Sequence, residues 1–129
     1  MKTRHIRIGV KSWAENKREL RQVFRRLGKG RKPPEEETLY FRDVSTFRRC
    51  LTPERLDLLW VTAEKHPRSV SELAALLGRE LKSVTDDLRY LVSVGLIELR
   101  RSKSRPKAKS PVVPYDRVDL SLELRGQAA

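Results

Sequence analysis

Between Leu81 and Val94 a run of polar residues falls at helical spacing: Lys82, Ser83, Thr85, Asp86, Arg89 and Tyr90. These side chains suit base edges and phosphates. Lys and Arg donate to guanine O6/N7 or to phosphate, Ser and Thr to either, and an Asp can accept from cytosine N4. Leu81, Val84, Leu88, Leu91 and Val92 fall on the other side, so one helix would bury one face and offer the other. Further along, RRSKSRPKAK holds Arg100, Arg101, Lys103, Arg105, Lys107 and Lys109 with no acid among them. Such a run suits phosphates or a narrow minor groove. Ser69 and Ser71 open the preceding helix, where hydroxyls and helix-end amides can also meet phosphate.

Other chemistry finds little to work with. His5 and His66 have no Cys or acidic partner at ligand spacing, so no metal site is expected. Cys50 beside Leu51 reads as a buried thiol rather than a nucleophile or redox switch. GKGRKPP lacks the strand, spacing and Ser or Thr of a phosphate-binding loop. The acidic run Glu35 to Glu37 reads as a solvated loop. Trp13 and Trp60 have helical apolar neighbours and are expected in the core rather than as base-stacking platforms. Tyr90 stands between core edge and phosphate contact. No Ser/His/Asp set and no paired carboxylates suggest catalysis, so neither an enzyme nor a cofactor is expected.

The elements that would position these groups follow from period and punctuation. Arg4, Ile6, Ile8 and Val10 alternate with His5, Arg7 and Gly9, as a strand would. Ser12 and Glu15 have capping-box spacing before the apolar stripe Trp13, Leu20, Val23, Phe24 and Leu27, which Gly28 stops. Leu39 and Phe41 mark a short extended piece. Asp43 can cap a short helix with Val44, Phe47 and Leu51 inward.

Thr52 and Pro53 then begin a helix, with Leu51 and Leu56 at staple spacing and Leu56, Leu59, Trp60 and Ala63 at helical period. His66 and Pro67 end it. Ser69 and Glu72 form a second capping box; Leu73, Leu76 and Leu77 face inward and Gly78 terminates the helix. Only Gly78 to Glu80 separate it from the Leu81 helix, which Gly95 stops. Ile97 and Leu99 switch to alternation, Val112, Val113 and Tyr115 read as a returning strand, and Val118, Leu120, Leu122 and Leu124 alternate with Asp119, Ser121 and Glu123.

The fold class expected is therefore α+β: a winged helix-turn-helix domain with an N-terminal strand-helix arm and a C-terminal strand. The division expected is residues 1–37 as a basic arm and linker, 38–125 as the domain, and 126–129 as a frayed tail. Charge supports a polyanionic partner. The net charge is +12 in 129 residues, and it is concentrated: residues 1–33 hold 12 Lys and Arg against 2 acids, whereas residues 34–99 hold 9 against 12. Clustered cations release counterions on meeting phosphates. One cysteine cannot close an intrachain disulfide, and no secretory signal or bilayer-length span is evident, so a cytoplasmic, nucleoid-associated location without a membrane is expected.

The stretch SVSELAALLGRELKSVTDDLRYLVSVGLIEL resembles the winged-helix module of MarR-related bacterial and archaeal regulators. With LTPERLDLL before it and VVPYDRVDLSLEL after it, the chain from about Leu39 to Leu124 resembles an antitoxin-type DNA-binding group within those transcriptional regulators. The resemblance implies a winged helix, operator DNA as target and, for some members, a toxin partner. Its recognition face would fall on Lys82, Ser83, Thr85, Asp86 and Arg89. Two features depart from the pattern: the adjacent acids Asp86 and Asp87, and a longer, more basic hairpin loop. Asp87 can cap, pair with Arg79, or stabilise the helix start; together the two acids can instead indicate a protein-binding face.

Double-stranded DNA is thus the expected partner of a sequence-specific transcriptional regulator, an autoregulating antitoxin in the narrower form. The rivals are a module that neutralises a cognate toxin and an RNA-binding winged helix. A homodimer is expected, with the end strands pairing within one chain or across a two-fold axis.

Overall fold

The computed structural model describes residues 4–11, 21–22, 25, 37–101 and 108–122. The chain folds into two compact units. One comprises residues 1–50 and 117–129, the other residues 51–116. This differs from the expected division at 37/38, because residues 38–50 and the C-terminal strand join the N-terminal strand rather than the helical block.

The first unit is built on a three-stranded, all-parallel sheet. Strands β1 (His5–Val10), β2 (Glu37–Phe41) and β5 (Arg117–Leu122) lie in the order β2-β1-β5. Alternation decides which side is apolar. The register sets Ile6 against Val118, Ile8 against Leu120 and Leu39, and Val10 against Leu122 and Phe41, so these side chains share one face. Ile6, Ile8 and Val10 are buried. On the opposite face a Cβ at Gly9 would stand only 3.0 Å from the Tyr40 ring, so Gly9 admits that close approach. The Lys11 ammonium lies 4.3 Å from the centre of the same ring. Just before β1, Arg4 Nη2 donates to both carboxylate oxygens of Glu37, at 2.9 and 3.1 Å.

Helix α1 (Val44–Cys50) follows β2. Asp43 caps it as expected, its carboxylate accepting from the Thr46 N–H at 2.7 Å. Phe47 meets Phe41 edge to face at 5.7 Å, while Val44, expected inward, is exposed. Cys50 is half-buried rather than fully buried. Arg21, Gln22 and Arg25 are helical; the apolar stripe read through Trp13, Leu20, Val23, Phe24 and Leu27 otherwise lies outside the described residues.

The second unit is a helix-turn-helix with a supporting helix and a hairpin. Helix α2 (Pro53–Lys65) begins at Thr52, whose hydroxyl accepts from the Arg55 N–H at 3.2 Å, and ends at His66 in the left-handed region (φ 49°). Helix α3 (Val70–Leu77) begins at Ser69, whose hydroxyl accepts from the Glu72 N–H at 3.1 Å. It ends at Gly78 with φ 64°, where the Arg79 N–H closes back onto Ala74 at 3.1 Å. That closure is a Schellman-type turn, which glycine adopts without steric cost. Helix α4 (Leu81–Ser93) starts three residues later. Strands β3 (Glu98–Arg101) and β4 (Lys109–Val112) pair antiparallel and form the wing. Val113 and Tyr115, expected to continue β4, lie beyond it. Ser110 donates to the Arg68 carbonyl at 2.8 Å, tying the wing to the α2–α3 connection.

The core of this unit is Leu51, Leu58, Leu59, Leu73, Ala74, Val84, Leu88, Leu91, Leu96 and Ile97. Three expectations fail here. Of the expected α2 stripe of Leu56, Leu59, Trp60 and Ala63 only Leu59 is buried, and Leu58 and Thr62 join it. LDLLWV is apolar on nearly every side, so periodicity alone could not settle the rotation of this helix. Thr62 is accommodated inside because its hydroxyl donates to the Leu58 carbonyl at 2.7 Å. Trp60 is consequently 71% exposed, and its indole N–H donates to Glu64 at 2.9 Å one turn away. Leu76 and Leu81, also expected inward, are exposed at either side of the tight turn.

Candidate nucleic-acid interface

Helix α4 divides as its sequence requires. Val84, Leu88 and Leu91, at i, i+4 and i+7, are buried, while Lys82, Ser83, Asp86 and Arg89 are exposed. Thr85 is half-buried; its hydroxyl donates to the Leu81 carbonyl at 2.7 Å. Glu80 is the N-cap residue, and its side chain makes no capping hydrogen bond. The start of the helix therefore offers backbone N–H groups beside the exposed Lys82, a combination suited to phosphate.

Asp87 is turned away from that exposed set by two arginines. The Arg79 guanidinium reaches one carboxylate oxygen at 2.6 Å, and the Arg55 Nε reaches the other at 3.0 Å. All three side chains are roughly four-fifths buried, with relative exposures of 21%, 17% and 22% for Arg55, Asp87 and Arg79. Burial alone would raise the Asp87 carboxyl. The hydrogen bonds from Arg79 and Arg55 outweigh it and hold the group below its ordinary value. Arg79 also donates to Ser83 at 2.7 Å, while its second terminal nitrogen, Nη1, is buried with no hydrogen-bond partner. That orphan costs about 1–3 kcal/mol and offsets part of what the pairs contribute. The Arg55 guanidinium lies 4.2 Å from the centre of the Tyr90 ring, so half-buried Tyr90 serves the edge of this cluster.

The triad does two jobs. It braces α4 against α2 and the tight turn. It also replaces the negative charge of Asp87 with a net positive cluster beside the exposed face. The spacing of Asp87 and Arg79 made that pair foreseeable; Arg55 lies 32 residues away in sequence, and no local signal pointed to it.

The remaining expected site residues fall as follows. Arg100, Arg101 and Lys109 are exposed on the wing strands. Lys103, Arg105 and Lys107 lie outside the described residues. Ser69 spends its hydroxyl oxygen on the α3 cap and is half-buried, while Ser71 is exposed. The wing register carries information that sequence alone could not: Arg101 stands directly opposite Lys109, and Arg100 opposite Ser110. Like charges opposed across strands destabilise a ladder unless an anion neutralises them. Among the described residues no cluster of His, Cys, Asp or Glu could hold a metal ion, and no helix is long and apolar enough to cross a membrane.

Similarity to known proteins is found among families and solved structures; no curated protein matches the chain. A homodimeric winged helix-turn-helix DNA-binding domain from Mycobacterium bovis, described as a possible ArsR-family transcriptional regulator, is 27% identical, covering 54% of this chain and 62% of that one, with a TM-score of 0.44. A MarR-like transcriptional regulator from Thermotoga maritima is 16% identical, covering 79% and 64%, with a TM-score of 0.46. The transcriptional regulator SlyA is 17% identical, covering 77% and 62%, with a TM-score of 0.45. The chain thus spans less than two thirds of each of these structures. The family model described as HVO_A0114 matches residues 50–120, more than half of the chain, from the end of α1 through the helix-turn-helix and the wing into β5. The chain belongs to the HVO_A0114 family.

Proposed function

We propose that the chain is a sequence-specific double-stranded DNA-binding regulator of transcription. The observation that carries this reading is the division of α4: a buried stripe of Val84, Leu88 and Leu91 leaves Lys82, Ser83, Asp86 and Arg89 exposed to a major groove. Arg89 and Lys82 are assigned to base edges or flanking phosphates, with Ser83 and Thr85 beside them and Asp86 as an acceptor for cytosine N4. Tyr90 and Ser69, already engaged within the fold, support that surface, and Ser71 reaches the backbone. The wing holds phosphates through Arg100, Arg101, Lys103, Arg105, Lys107 and Lys109. The opposed Arg101 and Lys109 favour an anion at the hairpin.

Two copies would place two recognition helices on a palindromic site. The homodimeric state of the Mycobacterium bovis domain is consistent with that arrangement. The narrower reading, an autoregulating antitoxin with a toxin partner, draws on the resemblance of the LTP and VPYD segments. Co-purification of a partner protein that survives high salt tests it.

Selection of bound sequences from a random duplex pool tests the main reading. Enrichment of one motif, with structured RNA competing poorly, is the expected result. An unenriched pool, or RNA displacing duplex at equal phosphate concentration, contradicts it.

A further inference from the structure

The apolar face of the parallel sheet is covered unevenly. At β1 it is sealed: Ile6, Ile8 and Val10 are 3%, 1% and 5% exposed. At the β2 edge it is closed by Phe41, which packs on Phe47. At the β5 edge it is open, with Leu120 and Leu122 each 56% exposed although their register partners Ile8 and Val10 are buried. Among the described residues β5 has a neighbour on one side only. β5 carries no proline and no lysine, and its two charges, Arg117 and Asp119, pair with each other at 2.8 Å, so from Val118 to Leu122 little blunts that edge.

We infer that the β5 edge is a self-association surface, on which β5 of a second copy adds antiparallel and joins two three-stranded sheets into one of six strands. The reading rests on the homodimer proposed above and gives it a location. Side-chain chemistry selects the register. Opposed residues must lie on the same face, so the two-fold axis passes through a residue position. Centred on Asp119, the pairing opposes two carboxylates and leaves Leu122 unpaired. Centred on Ser121, it carries Val118 past the end of the partner strand. Centred on Leu120, it opposes Leu120 to its own copy and Val118 to Leu122, gathering the exposed leucines into one cluster. On the other face Asp119 meets Ser121, whose hydroxyl can donate to it. Only this last register uses every residue from Val118 to Leu122.

The test uses the full chain with Cys50→Ser, so that introduced thiols are the only ones. Sedimentation across a range of loading concentrations should show a monomer–dimer equilibrium. Leu120→Glu, which opposes two carboxylates at the axis, should weaken it at least about tenfold. Under mild oxidation Leu120→Cys should cross-link, because directly opposed residues of an antiparallel pair lie within disulfide range. Leu122→Cys should not, because the two copies of that position lie about 13 Å apart along the strands. Mixing Leu122→Cys with Val118→Cys should cross-link the pair. If Leu120→Glu proves unfolded by circular dichroism, the cysteine pattern still decides. A monomer at all concentrations, or cross-linking by Leu122→Cys without Leu120→Cys, overturns the inference. A chain that dimerises with the expected pattern but binds no duplex leaves this surface standing and removes the DNA reading; a monomer that binds duplex does the reverse.

Discussion

Arg89 and Asp87 are two residues apart on α4 and do opposite work. Arg89 is exposed and carries the charge that a groove would meet. Replacing it with Ala should cost about 1–3 kcal/mol on a preferred sequence and relax the choice of base at one position, as measured by competition between related duplexes. Asp87 is held by Arg55 and Arg79. Asp87→Asn should cost about 1–3 kcal/mol in denaturant melts, because two guanidinium groups lose their buried acceptor charge.

The pH dependence follows from the same cluster. The folded carboxyl lies below its ordinary value of 3.8, so its contribution to stability is complete above that pH and is lost as pH falls through the depressed value. Melts of the wild type should therefore weaken more steeply than those of Asp87→Asn as pH is lowered below about 4. Equal acid slopes would remove the triad from the account. The two acids on this helix were visible in the sequence as a problem for a phosphate-facing surface. The resolution was only half visible, since Arg79 lies two turns upstream and Arg55 comes from another helix.

At the scale of elements, caps and stops were the most legible features. Thr52, Ser69, Asp43, His66 and Gly78 all act where their types suggest, because capping depends on a few neighbouring backbone groups. Gly78→Ala should destabilise by about 1 kcal/mol in the same melts: its φ is 64°, while an added Cβ would meet nothing within 4 Å, so the cost is conformational rather than steric. Rotation of α2 was not legible. Leu56, Leu58, Leu59, Trp60 and Val61 are all apolar, and tertiary packing rather than period chose Leu58 and Leu59 for the core. Leu58→Ala should therefore cost about 2–5 kcal/mol, whereas Trp60→Ala should cost no more than about 0.5 kcal/mol. The wing strands were foreseen, but the opposition of Arg101 and Lys109 needed the register. Arg101→Ala should weaken binding to every duplex alike and lower the salt slope by about 1, the signature of one lost phosphate contact.

For the whole molecule, local patterns misplaced the boundary between units. The end strands are far apart in the chain, His5 pairing with Arg117, yet they lie side by side in one parallel sheet. No local signal encodes a partnership at that separation. Alternation left the end strands to pair within one chain or across a two-fold axis; β1 and β5 pair within the chain, in a parallel register that the pattern did not encode. Fold class survived this error because the helix-turn-helix and wing lie within residues 51–116, where connections are short and the punctuation is strong.

On the proposed reading, the exposed face of α4 meets base edges. Binding of wild type and Arg89→Ala to a selected duplex and to its scrambled counterpart, at matched salt, tests it most directly. A loss of about tenfold or more is expected on the selected duplex, with little change on the scrambled one. Equal losses on both would show that Arg89 serves only as a phosphate contact and would contradict it.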